Sequence, residues 1–169
     1  ERHITAQAPA LIGGALVVPV GLLTRLLGAA PATGDGSSPE ARRRVELAAM
    51  AAVIQAEKGL GFVPRDVSAA KVGYDIESRI PGTGRLRFIE VKGRAEGAST
   101  VTVTRNEILV ALNKPEEFVL ALVAIPPQGT PATAAVRYLR RPFTREPEAF
   151  TESVNFSWAE LWTRGEEPV

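Results

Sequence analysis

Phe118-Val119-Leu120-Ala121-Leu122-Val123-Ala124-Ile125 is apolar at every position. A β-strand turns successive side chains to opposite faces, so a run that is apolar at both parities must be covered on both. The stretch therefore predicts a central strand with structure packed above and below it, and the rest of the chain has to supply those layers. Ser38 is a good N-cap with Pro39 in the first helical position, and the helix they open runs to about Lys58, where Gly59 and Gly61 end it. Val45, Ala48, Ala49, Ala52, Val53 and Ala56 make one side of that helix small and apolar. Phe62 to Val67 leads to a strand over Gly73 to Ser78, a turn at Pro81-Gly82-Thr83-Gly84 and a strand over Arg85 to Lys92. Thr100 to Val103 is β-branched throughout and reads as a further strand. Thr104-Arg105-Asn106-Glu107 has the form of a capping box and opens a helix to about Asn113. After the central run come a loop over Pro126 to Thr133, a strand over Val136 to Arg140 and a short helix over Ser157 to Arg164. The order predicts an α/β fold of the mixed α+β kind, with a central mixed sheet flanked by helices.

Hydrophobic residues are 45% of the 169 and charged residues 23%, as in ordinary folded domains. The length suits one domain with a proper core. With 20 Lys+Arg against 19 Asp+Glu the formal charge is only +1, so no global field draws the chain onto a polyanion and any such binding needs local patches. The absence of cysteine removes disulfides, thiolate zinc sites and cysteine nucleophiles, and fits a reducing cytoplasmic setting. His3 is the sole histidine and lies near the terminus, which argues against a histidine metal site or a Ser-His-Asp triad.

Thr5 to Thr24 carries no charge, but Pro9, Gly13, Gly14, Pro19 and Gly21 interrupt it too often for a membrane span. Ala15 to Val20 is expected as a buried strand and Leu22 to Leu27 as a short helical turn. Ala29 to Glu40 is rich in Gly, Pro, Ser and small residues and reads as a linker. Residues 1–36 are thus expected as an arm and linker, and 37–169 as the main domain. Because the chain begins at Glu1 rather than Met, it is expected to be a piece of something longer.

Chemistry concentrates in Arg87-Phe88-Ile89-Glu90-Val91-Lys92-Gly93 and, just before it, Gly73-Tyr74-Asp75-Ile76-Glu77-Ser78. Alternation puts Glu90 and Lys92 on one face with Leu86 and Phe88, so an oily face turns abruptly ionic, as where a strand leaves a core for a cleft. A carboxylate and an ammonium side by side, with a second carboxylate near, can bind a divalent cation and orient a water against a phosphodiester. A solvated ion pair on an edge strand has the same spacing.

These motifs resemble the PD-(D/E)XK nuclease superfamily, whose restriction-endonuclease-like core is αβββαβ. More narrowly, Asp66-Val67-Ser68, Gly73-Tyr74-Asp75-Ile76-Glu77-Ser78, Phe88-Ile89-Glu90-Val91-Lys92-Gly93 and Thr102-Val103-Thr104-Arg105-Asn106-Glu107 resemble the NO VEIN-type C-terminal domain, over about Arg44 to Arg140. That domain often ends superfamily-two helicases linked to DNA restriction and defence, and Ala15 to Pro19 looks like the segment joining the two parts. The resemblance implies that Asp75, Glu90 and the main-chain carbonyl of Val91 hold Mg²⁺, with Mn²⁺ able to substitute, while Lys92 orients or activates the attacking water and stabilises charge on the phosphate. Relatives often add an acid from the first helix. Here Glu46 fits better than Glu57, and the two are about 16 Å apart along the axis, so one site cannot use both; otherwise each is a surface carboxylate. Glu107 and Asn106 fall where related nucleases place a polar residue near the cleft, although Glu107 can equally be closing its capping box. Glu77 is either a further ligand or a solvated hairpin acid. The residue before Asp75 is Tyr74 where the superfamily pattern has proline.

The first expectation is therefore a metal-dependent DNA endonuclease module, with phosphate contacts from Arg42, Arg43, Arg44, Arg94 and Arg105 unless these are solvated charges. Its expected partners are DNA, a helicase part in the same longer chain and, for cutting both strands, a second copy; no membrane is expected. The alternatives are an inactive nuclease-fold domain that binds DNA or regulates a helicase, and a protein-interaction module using the apolar arm.

Overall fold

A computed structural model describes Leu26 and residues 38–126 and 130–169 of the chain. The strand expected at Ala15 to Val20 and nearly all of the expected helical turn and linker lie outside the described residues. From Ser38 on, the described residues belong to one compact unit, Gly34–Val169.

Helix α1 spans Pro39–Gly59, and the Ser38 hydroxyl accepts from the Ala41 N–H at 3.1 Å, one of the amides that a helix start leaves unpaired. Strands β1 (Val63–Asp66), β2 (Ile76–Arg79) and β3 (Leu86–Ala95) follow, with a short 3₁₀ turn, Ser68–Ala70, between the first two. Then come β4 (Thr100–Thr104), α2 (Arg105–Asn113), β5 (Phe118–Ile125), a second 3₁₀ turn at Pro131–Thr133, β6 (Ala135–Arg140), β7 (Ser153–Ser157) and α3 (Trp158–Arg164). The main sheet has the order β1-β2-β3-β5-β6. It is mixed: β3 and β5 run parallel, pairing Glu90 with Leu120 and Lys92 with Leu122, and the other neighbours are antiparallel. The core αβββαβ order is thus α1, β1 to β3, α2, β5, with β4 inserted before α2. That β4 does not join the main sheet; it pairs with β7 in a separate two-stranded ribbon.

The central run behaves as its pattern dictates. Val119, Ala121, Val123 and Ile125 face one core with Ala49, Ala52 and Val53 of α1, while Phe118, Leu120 and Leu122 face a second with Val101, Ala111 and Leu161. None of these β5 side chains is more than 5% exposed, and full burial of such a side chain stabilises by about 1.5–3 kcal/mol. β3 lies between β2 and β5, although β2 reaches only to Ile89, and Glu90 is only 4% exposed, so Glu90 and Lys92 are not a solvated pair on an edge strand. The helix α1 comes unusually close to β3 at Gly93, where a Cβ would fall 2.6 Å from the Ala49 Cβ. Among the described residues, no helix is long and apolar enough to cross a membrane.

Candidate active site

The site begins where two strands part. β2 starts only at Ile76, opposite Ile89, so the strand expected from Gly73 is shorter at its start. Gly73 itself takes φ +89°, open to glycine but strained for other residues, and a Cβ there would lie 2.7 Å from Val110 and 2.9 Å from Asn106. The chain thus swings away from β3 just before Asp75, and the Val91 N–H that a longer β2 would have paired instead donates to Asp75 Oδ2 at 2.9 Å. A strand residue turns its N–H and C=O to the same side, so the Val91 carbonyl also faces the gap that β2 leaves.

This gap opens into a cleft of about 890 Å³. Asp75, Glu90, Val91, Lys92 and Gly93 form its floor, Arg42, Arg43, Glu46, Leu47 and Met50 of α1 one wall, and Asp66, Ser68, Arg94 and Thr102 the rest of the rim. Lys92 Nζ lies 2.7 Å from Glu90 Oε1 and 2.7 Å from Glu107 Oε2. Burial pushes the Glu90 carboxyl up to about 8, against the pull of Lys92, and the neighbouring Asp75 and Glu107 charges push the same way as burial. Burial also raises the Asp75 carboxyl, opposed by the Val91 N–H and by Lys92. For Lys92 burial works downward, but Glu90 and Glu107 together outweigh it and hold the ammonium above its ordinary value.

The structure brings together only some of the residues singled out in the sequence. Glu46 is exposed on the cleft wall, and Arg42, Arg43 and Arg94 line the cleft; Arg44 and Arg105 do not. Arg94 also donates to the Thr100 carbonyl at 3.0 Å, which ties it to the ribbon. Glu77 is bound by Arg65 and by the Tyr74 hydroxyl, the latter at 3.0 Å, and is no part of the cleft lining. Asn106 packs beside Gly73. Glu107 closes its capping box, accepting the Thr104 N–H at 3.0 Å, and the same oxygen meets Lys92, although neither Glu107 nor Asn106 lines the cleft. Glu57 is corrected: it is not a surface carboxylate but wholly buried, taking a hydrogen bond from the Tyr138 hydroxyl at 2.9 Å and lying 3.5 Å from Arg87.

Asp66 is a residue the sequence reading passed over as a site candidate, although it belongs to one of the motifs. Its Oδ1 is held by the Ser68 N–H and hydroxyl at 2.9 and 2.7 Å, and its charge is among those that raise Asp75. Among the described residues, no group of three or more Asp, Glu or His side chains gathers closely enough to hold a metal by itself. The donors present are hard oxygens: Asp75, Glu90 and the Val91 carbonyl. They suit Mg²⁺, which keeps several waters and is held by one or two carboxylates, better than a metal that needs a full protein cage.

Residues 45–136 match the family model described as Protein NO VEIN, C-terminal. No curated protein matches the chain.

Proposed function

On the premise that this chain belongs to the Protein NO VEIN C-terminal family, we propose that it is a Mg²⁺-dependent DNA endonuclease module, acting with a helicase part of a longer chain. One observation carries the reading: Asp75, Glu90 and Lys92 share a single cleft at the point where β2 leaves β3, and Arg42, Arg43 and Arg94 line the same cleft. A scaffold has no physical need to gather that trio together.

Asp75, Glu90 and the Val91 carbonyl would hold the cation, with Glu46 able to reach in from the wall. The bound ion supplies charge neutralisation at a phosphate oxygen and a water acidic enough to act as nucleophile. Lys92 stays charged between Glu90 and Glu107, so it orients the water and stabilises negative charge growing on the phosphate; it does not remove a proton. With two N–H groups engaged, its third has no acceptor among the described residues and is free for a substrate oxygen. Arg42, Arg43 and Arg94 fix the backbone without reading bases, which gives a nuclease of low sequence specificity.

The test is incubation of the purified domain with linear, nicked and single-stranded DNA in Mg²⁺ or Mn²⁺, beside Asp75→Asn and Lys92→Ala. Cleavage by the wild type that both substitutions abolish is expected. No cleavage by the wild type under any of these conditions, or equal cleavage by all three proteins, would sink the reading. A second reading is a non-cutting DNA-binding domain, in keeping with the lack of a three-acid group among the described residues; DNA binding that survives EDTA and both substitutions would select it.

A further inference from the structure

Lys92 has two anchors, and they come from different layers. Glu90 is its neighbour on β3, whereas Glu107 is on the first turn of α2. Glu107 closes a full capping box: its N–H donates to the Thr104 hydroxyl at 3.3 Å, and its Oε2 accepts the Thr104 N–H at 3.0 Å. That box needs nothing from β3. The same Oε2 nevertheless lies 2.7 Å from Lys92 Nζ, with the lysine and glutamate side chains only 14% and 13% exposed. The box is itself held rigidly, since Thr104 pairs with Ser153 across the ribbon and the Arg105 N–H donates to the Glu152 carbonyl at 2.8 Å.

Glu90 alone would be a poor anchor. A cation bound in the cleft would take the Glu90 carboxylate, so the ligand and the lysine's tether would be the same group. Freed, the long Lys92 stem regains its rotamer freedom. We propose that Glu107 is a positioning residue that keeps the Lys92 ammonium at the cleft once Glu90 is committed elsewhere, which makes the capping box of α2 part of the active site. The tether stands on the geometry alone; its catalytic meaning rests on the nuclease reading above.

The oxygen that accepts the Thr104 N–H is the one that meets Lys92, so a glutamine at this position would keep an acceptor for the ammonium; Glu107→Ala removes the tether, and Thr104→Ala, which loses only the hydroxyl arm of the capping box, controls for weaker capping. The experiment records the ammonium signal of Lys92 in the domain labelled with ¹⁵N-lysine, assigned by its loss in Lys92→Arg. A hydrogen-bonded, slowly exchanging signal is expected in wild type and in Glu90→Ala, which removes the other anchor. It should vanish in Glu90→Ala/Glu107→Ala and survive in Glu90→Ala/Thr104→Ala. Loss of the signal in Glu90→Ala alone, or its persistence in Glu90→Ala/Glu107→Ala, overturns the proposal whether or not the domain cuts DNA. If the wild type cuts, Glu107→Ala should lower kcat by about tenfold or more with KM changed less than about twofold, and Thr104→Ala should not; an unchanged kcat in Glu107→Ala overturns the catalytic half. Failure of the wild type to cut is the failure of the nuclease reading, and the spectrum then decides the tether by itself.

Discussion

At the scale of single residues, the cleft is built from charges placed where charge is costly. Glu90, at 4% exposure, keeps its proton to about pH 8, and the nearest ammonium lowers that value without reversing it. The unfolded chain gives up the same proton near 4.5. Stability from this proton is therefore complete below the unfolded value and is lost as pH climbs to about 8, and raised Asp75 acts in the same direction. In EDTA the thermal midpoint is expected to fall across this window, and Glu90→Gln should remove much of the fall; scans at several pH values from about 5 to 9 check it. A midpoint that rises with pH there would contradict the buried, protonated state. The residue scale was only half legible in the sequence. Glu90, Lys92 and Asp75 were readable because alternation and a short turn bring them together locally. Glu57 was not, since its partner Tyr138 is 81 residues away and an isolated helix glutamate gives no local sign of burial. Asp66 was masked because its carboxylate closes a turn on Ser68, which is what an aspartate at a loop start ordinarily does.

At the scale of elements, the parts with local signals were readable and those fixed by distant pairing were not. Ser38, Pro39 and the Thr104-to-Glu107 box set helix starts that the structure reproduces, because capping acts within four residues. β7 went unseen: Ser153-Val154-Asn155-Phe156-Ser157 is short and polar, and only its register against β4, such as Val101 with Phe156, makes it a strand. Likewise β4 reads as a strand from its branched residues, while the choice of partner is invisible in them. The most exacting element contact is α1 on β3. Gly93→Ala would bring a Cβ to 2.6 Å from Ala49 and 3.2 Å from the Val45 carbonyl, backbone that cannot turn aside. Urea titration should show a loss of about 1–3 kcal/mol. Gly59→Ala at the end of the same helix meets nothing within 4 Å and should be neutral or stabilising by up to about 1 kcal/mol.

For the molecule as a whole, two charged centres sit at opposite ends of β3. One is the cleft; the other, around Arg87, joins α1, β3 and β6 through Glu57 and Tyr138, with the Arg87 guanidinium 5.1 Å from the Phe62 ring and 5.3 Å from that of Tyr138. Glu57 Oε2 and Arg87 Nη2 are buried without a partner among the described residues, so little slack remains. Tyr138→Phe strips the donor from a buried carboxylate and should cost about 1–3 kcal/mol. Glu57→Gln should soften that cost, which a double-mutant cycle measures. Since the net charge is only +1, the proposed DNA binding would rest on the patch around Arg42, Arg43 and Arg94; on that proposal each Arg→Ala should weaken binding on all sequences alike and shrink the salt slope by about 1. The parting of β2 from β3 has one more consequence, for association between molecules. Beyond Ile89 the β2-facing side of β3 is a strip of strand edge inside an open cleft, and unpaired edges invite other chains to add a strand. The Asp75 carboxylate stoppers that strip by occupying its first amide. Asp75→Ala would uncork it, and size-exclusion chromatography is expected to show self-association of that variant, whose inactivity would then say nothing about chemistry, whereas Asp75→Asn keeps an oxygen for the Val91 N–H and is expected to elute as the wild type does.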